Sequence, residues 1–552
     1  MEHSKSPRTF WPYYAATTVM VIIAAGVVWS HAHPFGIHWD EAEYLDQAGI
    51  DVQRLWAGKL LTLGGRILIK SLGKPPAYRI LVLPFLAVFG FQATVARLVS
   101  LACFGLGTWF VYQATCRIAG CTAGAIAVLI FALSPEVVSA SIFFGTDTCL
   151  YLATSAMLYF VFAAWSYHSE QPRHWIGLGL AVGLGFLAKT SFLAIAAPVL
   201  AFWLIAGYFG WLAIPSLRSQ AKAAALAFVI AAPWWVLNLK KSFVYAQYAR
   251  GFVRNSLGSP SPTTWLRWLN TVIHGLLGHG VSILIGLVLI TFLVGAITSK
   301  ETLLDPQQRA ALAACACAGL PILLTQLAGT NHLLRHISPV MIPLAISIGL
   351  LAETSGWIHS WPGAAITAIL TLGQLAMLVS PVVVPNRQPV DLAFPNGVEP
   401  WQAMVRFDQW DWTPVRNIGH NCGLDKPKIS YLGNGRAFDI PQIQYSWIAQ
   451  RLAEPEVIWL WRYEDGSLDW QKTMDAADQS DIVITAPEFV GESKIKEDLD
   501  NQHNAEFAGR LSRDSQFRAP VRLAMGRFTP VEVDVFVKST LSCQGELAPA
   551  SQ

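Results

Sequence analysis

The sequence has 552 residues, of which 53% are hydrophobic and only 14% are charged. Soluble proteins carry about 25% charged residues, so most of this chain is expected to lie in lipid. The formal net charge is +3, and the sequence contains no long basic run. Composition therefore predicts an integral membrane protein and gives no reason to expect a nucleic-acid partner.

The N-terminal apolar run extends from about Phe10 to Trp29 and follows two bases, Lys5 and Arg8. Ser30-His31-Ala32 has a faint similarity to a signal-peptide cleavage site, so removal of the segment is one interpretation. The run is about 20 residues long, which exceeds a typical signal-peptide apolar region and suffices to cross a bilayer. We therefore predict an uncleaved first transmembrane helix.

Further membrane-length apolar stretches recur to about residue 380. Together with the first they predict about eleven transmembrane helices. The segment 76–91 is also apolar, but it is short and follows Lys74-Pro75-Pro76, so we interpret it as an interfacial helix. The later spans are predicted at 94–115, 120–142, 147–166, 174–189, 190–208, 222–239, 272–298, 309–328, 337–353 and 361–381.

Bases in the short loops suggest an orientation. One set of loops is assigned to the cytoplasm, together with the N-terminus, by the positive-inside tendency. It contains Lys5, Arg8, Arg117, Arg173, Arg218, Lys222, Lys300 and Arg309. The opposite face also carries bases, against the usual bias, and an anionic ligand there would explain them. They are Lys74, Lys189, Lys240, Lys241, Arg250, Arg254 and Arg335.

After about residue 382 the chain becomes polar and proline-rich. Strand-like runs at 428–432, 457–461, 481–484 and 531–537, with a helical stretch at 442–452, predict a small α/β domain. The predicted domains are therefore a transmembrane domain, 1–381, with an external first loop, 31–93, and an extracytoplasmic α/β domain, 382–552. Cys422 and Cys543 lie in the second domain and could form a disulfide in an oxidising compartment.

An acidic cluster follows the first span. Asp40 and Glu41 begin what is predicted to be an amphipathic helix that continues through Trp56. Asp40-x-x-Glu43 also fits a helix capping box, and a capping aspartate can still act in catalysis. Repulsion between adjacent carboxylates favours proton uptake by one of them, which makes Asp40 the predicted general base and Glu41 its neighbour.

Three further charged residues lie at the same face. Lys74 precedes two prolines that restrict the backbone, and it either reaches the interface or binds a phosphate. Asp147 begins a span, where it either caps the helix or has a functional role. Lys189 lies between two spans, where it either reaches the interface or binds the same phosphate.

The segment Asn331-His332-Leu333-Leu334-Arg335-His336 forms another external loop. Arg335 either pairs with a protein carboxylate or binds the ligand. Arg250 and Arg254 lie on a segment that suits an interfacial helix whose bases meet either lipid headgroups, which we favour, or a ligand phosphate. Several histidines also lie near this face, but their spacings match no standard metal site, so we predict neither a metal nor a cofactor. They are His31, His33, His38, His274, His279, His332 and His336.

Taken together, these motifs resemble the polyprenyl-phosphate-sugar-dependent membrane glycosyltransferases, a group that includes protein O-mannosyltransferases and lipid A aminoarabinose transferases. The resemblance covers about residues 10–350, and the order of its motifs is more specific than any single one. The motifs are Asp40-Glu41-x-x-Tyr44, Lys74-Pro75-Pro76, Ala96-Arg97-Leu98, Asp147, Gly185-Phe186-Leu187-Ala188-Lys189, Pro233-Trp234-Trp235 and Arg335-x-x-x-Pro339.

The resemblance implies a GT-C type fold and a donor whose sugar is carried on a polyprenyl phosphate. It implies catalytic roles for Asp40, with Glu41 beside it, and for Asp147. The substrate-binding residues that we predict are Tyr44, Lys74, Lys189, Arg335 and His336. Two departures from the family pattern concern the donor: His336 replaces a tyrosine that often follows the arginine, and the residues before Asp147 differ.

A sugar on a lipid phosphate already has a good leaving group, so the reaction needs no nucleotide-binding loop. Asp40 would take the acceptor hydroxyl's proton, and direct displacement would invert the anomeric centre. The sequence thus predicts an inverting glycosyltransferase in a bacterial inner membrane, acting on a glycan, lipid or protein acceptor outside the cytoplasm. A transporter or flippase is the alternative, but it would need charges along the depth of its helices. A receptor or scaffold is a third possibility.

Overall fold

The computed structural model describes the chain in segments. They are residues 10–36, 39–69, 74–167, 171–212, 214–257, 262–299, 303–328, 334–383, 404, 409–433, 435, 437–460, 463–464, 467–489, 501–526 and 530–544.

The first part of the chain is helical. Its helices are α1 (Phe10–Ala32), α2 (Trp39–Trp56), α3 (Leu60–Ile69), α4 (Ala77–Phe89), α5 (Ala93–Ala119), α6 (Cys121–Ala132), α7 (Pro135–Ile142), α8 (Asp147–Tyr167), α9 (Pro172–Ala188), α10 (Phe192–Tyr208), α11 (Leu217–Leu257), α12 (Pro262–Thr271), α13 (His279–Thr298), α14 (Pro306–Ala328), α15 (Leu334–Ile337), α16 (Met341–Thr354) and α17 (Trp361–Val383). Three short turns are interspersed: a π-helical turn (Val272–Leu277) and two 3-10 turns (Ser338–Val340 and Trp357–His359).

The protein is a polytopic α-helical membrane protein. Within the described segments, eight helices are long and apolar enough to cross a membrane, and the bent pair α6–α7 makes a ninth if it is one span. The other two predicted spans correspond to α9 and α10, each of 17 residues, which is near the lower limit for crossing. The short helix predicted within 76–91 is α4, which has 13 residues.

The single span predicted at 120–142 is two helices in the structure. α6 and α7 are bent by 69° relative to each other. Ser134 caps α7 by accepting a hydrogen bond from the Val137 N–H, and Pro135 occupies the first turn, where its missing N–H is harmless. Proline at this position favours a new helix start over continuation of α6.

By contacts between its residues the chain divides into two compact units. The first unit comprises the described residues of Met1–Ser30, Leu61–Leu81 and Arg97–Val405. The second comprises those of His31–Leu60, Val82–Ala96 and Arg406–Gln552. Parts of the predicted first loop, 31–93, therefore belong to the same unit as the carboxyl-terminal domain.

Glycines allow close helix packing in the first unit. α9 packs against both α8 and α11. A Cβ at Gly183 of α9 would press on Ile230 of α11, at 2.9 Å, and one at Gly179 would meet the Ala223 carbonyl at 2.8 Å. Small residues at such contacts let helix backbones approach closely, which is a main source of stability where water is absent.

The carboxyl-terminal part of the second unit has a five-stranded sheet of order β2-β1-β5-β7-β6. Strands β2, β1 and β5 are parallel, while β7 is antiparallel to β5 and to β6. The elements are α18 (Thr413–Asn421), β1 (Lys428–Leu432), α19 (Ile440–Ile448), β2 (Glu456–Trp459), β3 (Tyr463–Glu464), β4 (Ser467–Leu468), α20 (Trp470–Asp478), β5 (Ile482–Thr485), α21 (Asn504–Leu511), β6 (Val521–Met525) and β7 (Val531–Val537).

Both faces of this sheet are covered. Alternate residues of β5 enter different apolar clusters, Ile482 and Ile484 in one and Val483 in the other. This is the pattern of a strand with helices on both sides. The α/β fold and the four strands predicted in this part are therefore confirmed, and the predicted helix corresponds to α19.

The helix predicted after Asp40 is confirmed as α2, which packs against α19 inside the second unit. Gln53 of α2 donates a hydrogen bond to the Ile448 carbonyl at 3.2 Å. A Cβ at Gly49 would overlap Ile448 and Phe91, so the close contact requires a glycine there. The acidic helix is thus held by the carboxyl-terminal domain.

Cys422 and Cys543 are bonded, and the loop they close has a sequence separation of 121 residues. We expect Cys422→Ser to lower the free energy of unfolding of this part by about 2–5 kcal/mol, because the unfolded chain regains its freedom. Denaturant unfolding of the full chain measures the change, with protease resistance of the domain as the signal that reports its folded fraction. Cys121→Ser, at an exposed free thiol, is the matched control. Equal resistance of both variants would contradict the expectation.

Candidate active site

The centre of the candidate site is an ion pair in the first unit. Lys189 Nζ donates a hydrogen bond to Asp147 Oδ1 at 2.6 Å. The two side chains are 19% and 11% exposed, so solvent screens the pair only weakly. Two of the predicted site residues, separated by 42 positions in the sequence, therefore contact each other directly.

Helix ends place both charges. Asp147 is the first residue of α8, where a carboxylate is favoured by the helix dipole. Lys189 is the C-cap of α9, with extended backbone angles, and its N–H still bonds to the Gly185 carbonyl. A Cβ at Gly185 would overlap the Phe192 ring at the start of α10, so the tight α9–α10 connection needs glycine.

Trp235 of α11 supports this connection. Trp235 Nε1 donates to the Phe186 carbonyl at 3.0 Å, and its ring meets that of Phe186 edge-on. Phe186 in turn contacts Phe192 edge-on, with ring centroids 5.5 Å apart. Two motifs noted in the sequence, at 185–189 and 233–235, thus act together to fix the backbone that presents Lys189.

A second connection leads from α8 to the segment of Arg335. Tyr151 lies one helical turn after Asp147, and its hydroxyl is 2.5 Å from Ser338 Oγ. Ser338 Oγ also bonds to the Arg335 carbonyl at 3.1 Å. The short helix α15, which carries Arg335 and His336, is therefore fixed close to the beginning of α8.

The segment of Lys74 approaches the same region. Pro75 and Pro76 are buried, and α4 begins directly after them. Tyr78, in the first turn of α4, makes an edge-on contact with Phe144 at 5.7 Å between centroids. Phe144 lies three residues before Asp147 in the loop between α7 and α8. Five predicted substrate-binding or catalytic positions of the first unit thus fall on segments that meet around the start of α8: Lys74, Asp147, Lys189, Arg335 and His336.

The remaining predicted site residues, Asp40, Glu41 and Tyr44, lie in the first turns of α2, in the second unit. Glu41 is completely buried, Tyr44 is nearly so, and Asp40 is partly exposed. α2 begins at Trp39, so Asp40 lies inside the first turn. Of the three side chains, that of Asp40 is the most accessible.

Sequence reasoning missed three polar residues near this site. Tyr151 and Ser338 form the bond between α8 and the Arg335 segment, and Glu136 is 2% exposed in the first turn of α7. An acid directly after Ser-Pro within an apolar stretch was a usable signal for Glu136, because buried carboxylates in membrane segments are rare.

Some candidates lie outside the described residues. These are His38, His332 and the side chains of Arg250 and Arg254. Among the side chains that the structure describes, no group of three or more His, Cys, Asp or Glu residues is arranged to hold a metal ion.

Comparison with known proteins places this geometry in context. Residues 73–237, a range that includes Lys74, Asp147 and Lys189, match the family model described as dolichyl-phosphate-mannose-protein mannosyltransferase. The chain is similar in structure to ArnT from Cupriavidus metallidurans bound to undecaprenyl phosphate, with a TM-score of 0.57 and 12% identity. The similarity covers 97% of this chain and 99% of that chain.

The protein has the GT-C fold. Two other GT-C structures are similar to it. The mycobacterial arabinofuranosyltransferase AftD gives a TM-score of 0.51 at 14% identity, over 95% of this chain but only 40% of that one. The Archaeoglobus fulgidus oligosaccharyltransferase tethered with an acceptor peptide gives 0.50 at 10% identity, over 92% and 73%.

No curated protein matches the chain in sequence. The family match and the GT-C fold nevertheless confirm the resemblance deduced from the sequence motifs. Together they support a glycosyltransferase that is integral to the membrane.

Proposed function

We propose that this GT-C protein is an inverting glycosyltransferase that moves a sugar from a polyprenyl-phosphate donor to an acceptor hydroxyl outside the cytoplasm. The observation that carries the proposal is the Lys189–Asp147 pair at the start of α8, on segments that also bring Lys74 and Arg335 nearby. A cluster of bases at a membrane-protein surface is best explained by an anionic ligand. The similar ArnT structure contains undecaprenyl phosphate, which is such a ligand.

In this proposal Asp147 positions Lys189. An ammonium group has three donor hydrogens, and the 2.6 Å bond to Asp147 uses one of them. Two remain for phosphate oxygens, so Lys189 can bind the donor while Asp147 fixes its direction. Lys74 and Arg335 supply further positive charge, and His336 and Tyr44 contact the substrates. Charge that is fixed before the reaction stabilises the transition state without reorganisation.

The chemical step is a displacement at the anomeric carbon. The acceptor oxygen forms its bond to that carbon as the bond to the phosphate oxygen breaks. Asp40 accepts the acceptor's proton, and the electron pair of the broken bond leaves with the polyprenyl phosphate. Attack opposite the leaving group inverts the centre. Glu41 is buried beside Asp40, so in this proposal it supports the base and does not contact the acceptor.

The Cys422–Cys543 disulfide supports the location. Disulfides persist in oxidising compartments and are rare in the cytoplasm. We therefore place the carboxyl-terminal domain outside, with the N-terminus in the cytoplasm. The membrane would be the inner membrane of a bacterium.

Mass analysis of cell-surface glycans and glycolipids, with and without the gene, tests the proposal. We expect one sugar to be missing from one class of acceptor in the deletion strain, with its polyprenyl-phosphate form accumulating. Re-expression of the natural chain is the positive control. An unchanged set of glycans and lipid-linked sugars would contradict the proposed function.

A further inference from the structure

A polar cluster inside the first unit is not explained by the site described above. At its centre is Gln374 of α17, a residue only 3% exposed. Its amide nitrogen donates to the Leu133 and Leu277 carbonyls at 2.8 and 2.9 Å. Its oxygen accepts from the Gly280 and Val281 N–H groups at 2.7 and 3.3 Å. One side chain therefore joins α17 to the end of α6, the π-helical turn and the start of α13.

Two further features hold this turn in place. Ser134 Oγ, at the bend between α6 and α7, donates to the Leu276 carbonyl at 2.5 Å. Gly278, between the π-helical turn and α13, has φ +74°, and a Cβ there would overlap the amide of Gln374. A π-helical turn is unusual and is often found at functional sites. Here the surrounding hydrogen bonds define its conformation closely.

The turn brings two histidines together. The rings of His274 and His279 have centroids 4.5 Å apart and an interplanar angle of 60°. Nδ1 of His274 is buried and has no hydrogen-bond partner among the described residues. A buried imidazole nitrogen without a partner costs stability, so a ligand that supplies one is favoured.

The neighbours of the pair connect it to the candidate active site. α15, which carries Arg335 and His336, packs against the π-helical turn, as do α7, α12 and α13. Of these elements, α7 contributes Glu136 and α13 contributes His279, while α12 carries Arg267, whose side chain lies outside the described ones. α15 thus adjoins both the π-helical turn that carries His274 and, through Ser338 and Tyr151, the beginning of α8.

We propose that His274 and His279 bind a phosphate oxygen of the lipid-linked donor and of the polyprenyl phosphate product, and that the pair takes up a proton when it does so. This inference rests on the proposed function and adds two binding residues to it. Gln374, Ser134 and Gly278 act as positioning residues, because they hold the turn without reaching the ligand.

The electrostatics agree with this role. Desolvation and the neighbouring His279 lower the pKa of His274, so the ring is neutral at pH 7 when the site is empty. A phosphate dianion next to it would raise that pKa. The histidine contribution to binding should therefore consume a proton and increase as the pH falls from the pKa of the bound state towards the lower pKa of the free state.

The test is calorimetric titration of undecaprenyl phosphate into the full chain in nanodiscs, from pH 5.5 to 8, in two buffers of different ionisation enthalpy. We expect the natural chain to take up more protons than His274→Asn and His279→Asn. At pH 6 each variant should bind undecaprenyl phosphate about tenfold more weakly, because a loss of this size corresponds to one hydrogen bond to a charged group. Titration of the probe itself is common to all variants and cancels in the difference.

His359→Asn is the matched control, because His359 lies in the Trp357–His359 turn and bonds to Glu353 instead. It should bind like the natural chain. Gly278→Ala should weaken binding while both histidines remain, since it disturbs the turn. If the natural chain binds and the histidine variants match it in affinity and proton uptake, this inference is wrong and the proposed function stands. If the natural chain binds no undecaprenyl phosphate, both fail.

Discussion

Asp40→Asn is expected to abolish sugar transfer and to leave folded protein in the membrane. Asparagine has nearly the same shape as aspartate but cannot accept the acceptor's proton, and general-base catalysis typically contributes about 100- to 10,000-fold in rate. Because Asp40 is only partly buried in α2, the loss of its charge should change stability little. The measurement is the initial transfer rate of purified protein, with the identified donor and acceptor, alongside its thermal unfolding.

Glu43→Gln is the matched control for this variant. It removes a partly exposed carboxylate from the same helix, three residues away, and should leave most of the activity. Asp40→Glu should retain part of the rate, because it keeps a base on a longer arm. Full transfer by Asp40→Asn would show that another group accepts the proton.

Lys189→Met is expected to lower the transfer rate by about 100- to 1,000-fold, by analogy with the loss of one preorganised donor at an oxyanion site. It should also destabilise the first unit by about 2 kcal/mol. This value lies between the cost of breaking an exposed ion pair and a fully buried one, since Asp147 would remain without its cation. Transfer rates at limiting and saturating donor, with thermal unfolding, measure both effects.

The variant Asp147→Asn/Lys189→Met separates the two roles of the pair. It removes both charges, so stability should return towards that of the natural chain while the activity stays low. Asp147→Asn alone should cost less activity than Lys189→Met, because the ammonium remains but is less well oriented. Equal activity of the double variant and the natural chain would mean that the pair serves only the fold.

Local patterns were sufficient for most of the architecture. The amphipathic spacing from Asp40 to Trp56 predicted α2, and β-branched runs such as 531–537 predicted strands. These elements follow from side-chain periodicity, which depends on neighbours in sequence. The sequence did not decide whether Cys422 and Cys543 are bonded, because the bond requires that the sheet bring together two residues 121 positions apart.

Long-range contacts decided the features of the fold and of the site that local patterns do not predict. Apolarity at 120–142 predicted one span, but Pro135 and the Ser134 cap produce a bend that composition does not reveal. Asp147 and Lys189 were each assigned separately, one as an acid and one as a phosphate ligand. Their direct contact depends on α8 and α9 packing side by side.

The sequence by itself therefore determined that this chain is a membrane protein with an acidic motif after its first span, bases in several of its loops and a polar α/β domain. These properties follow from composition and from periodicity within single elements. Only the tertiary structure decided which charges meet, that α2 packs on the carboxyl-terminal domain, and that Gln374 holds His274 and His279 together. Such contacts join positions tens to hundreds of residues apart, and the packing of whole helices, which no local pattern encodes, sets their geometry.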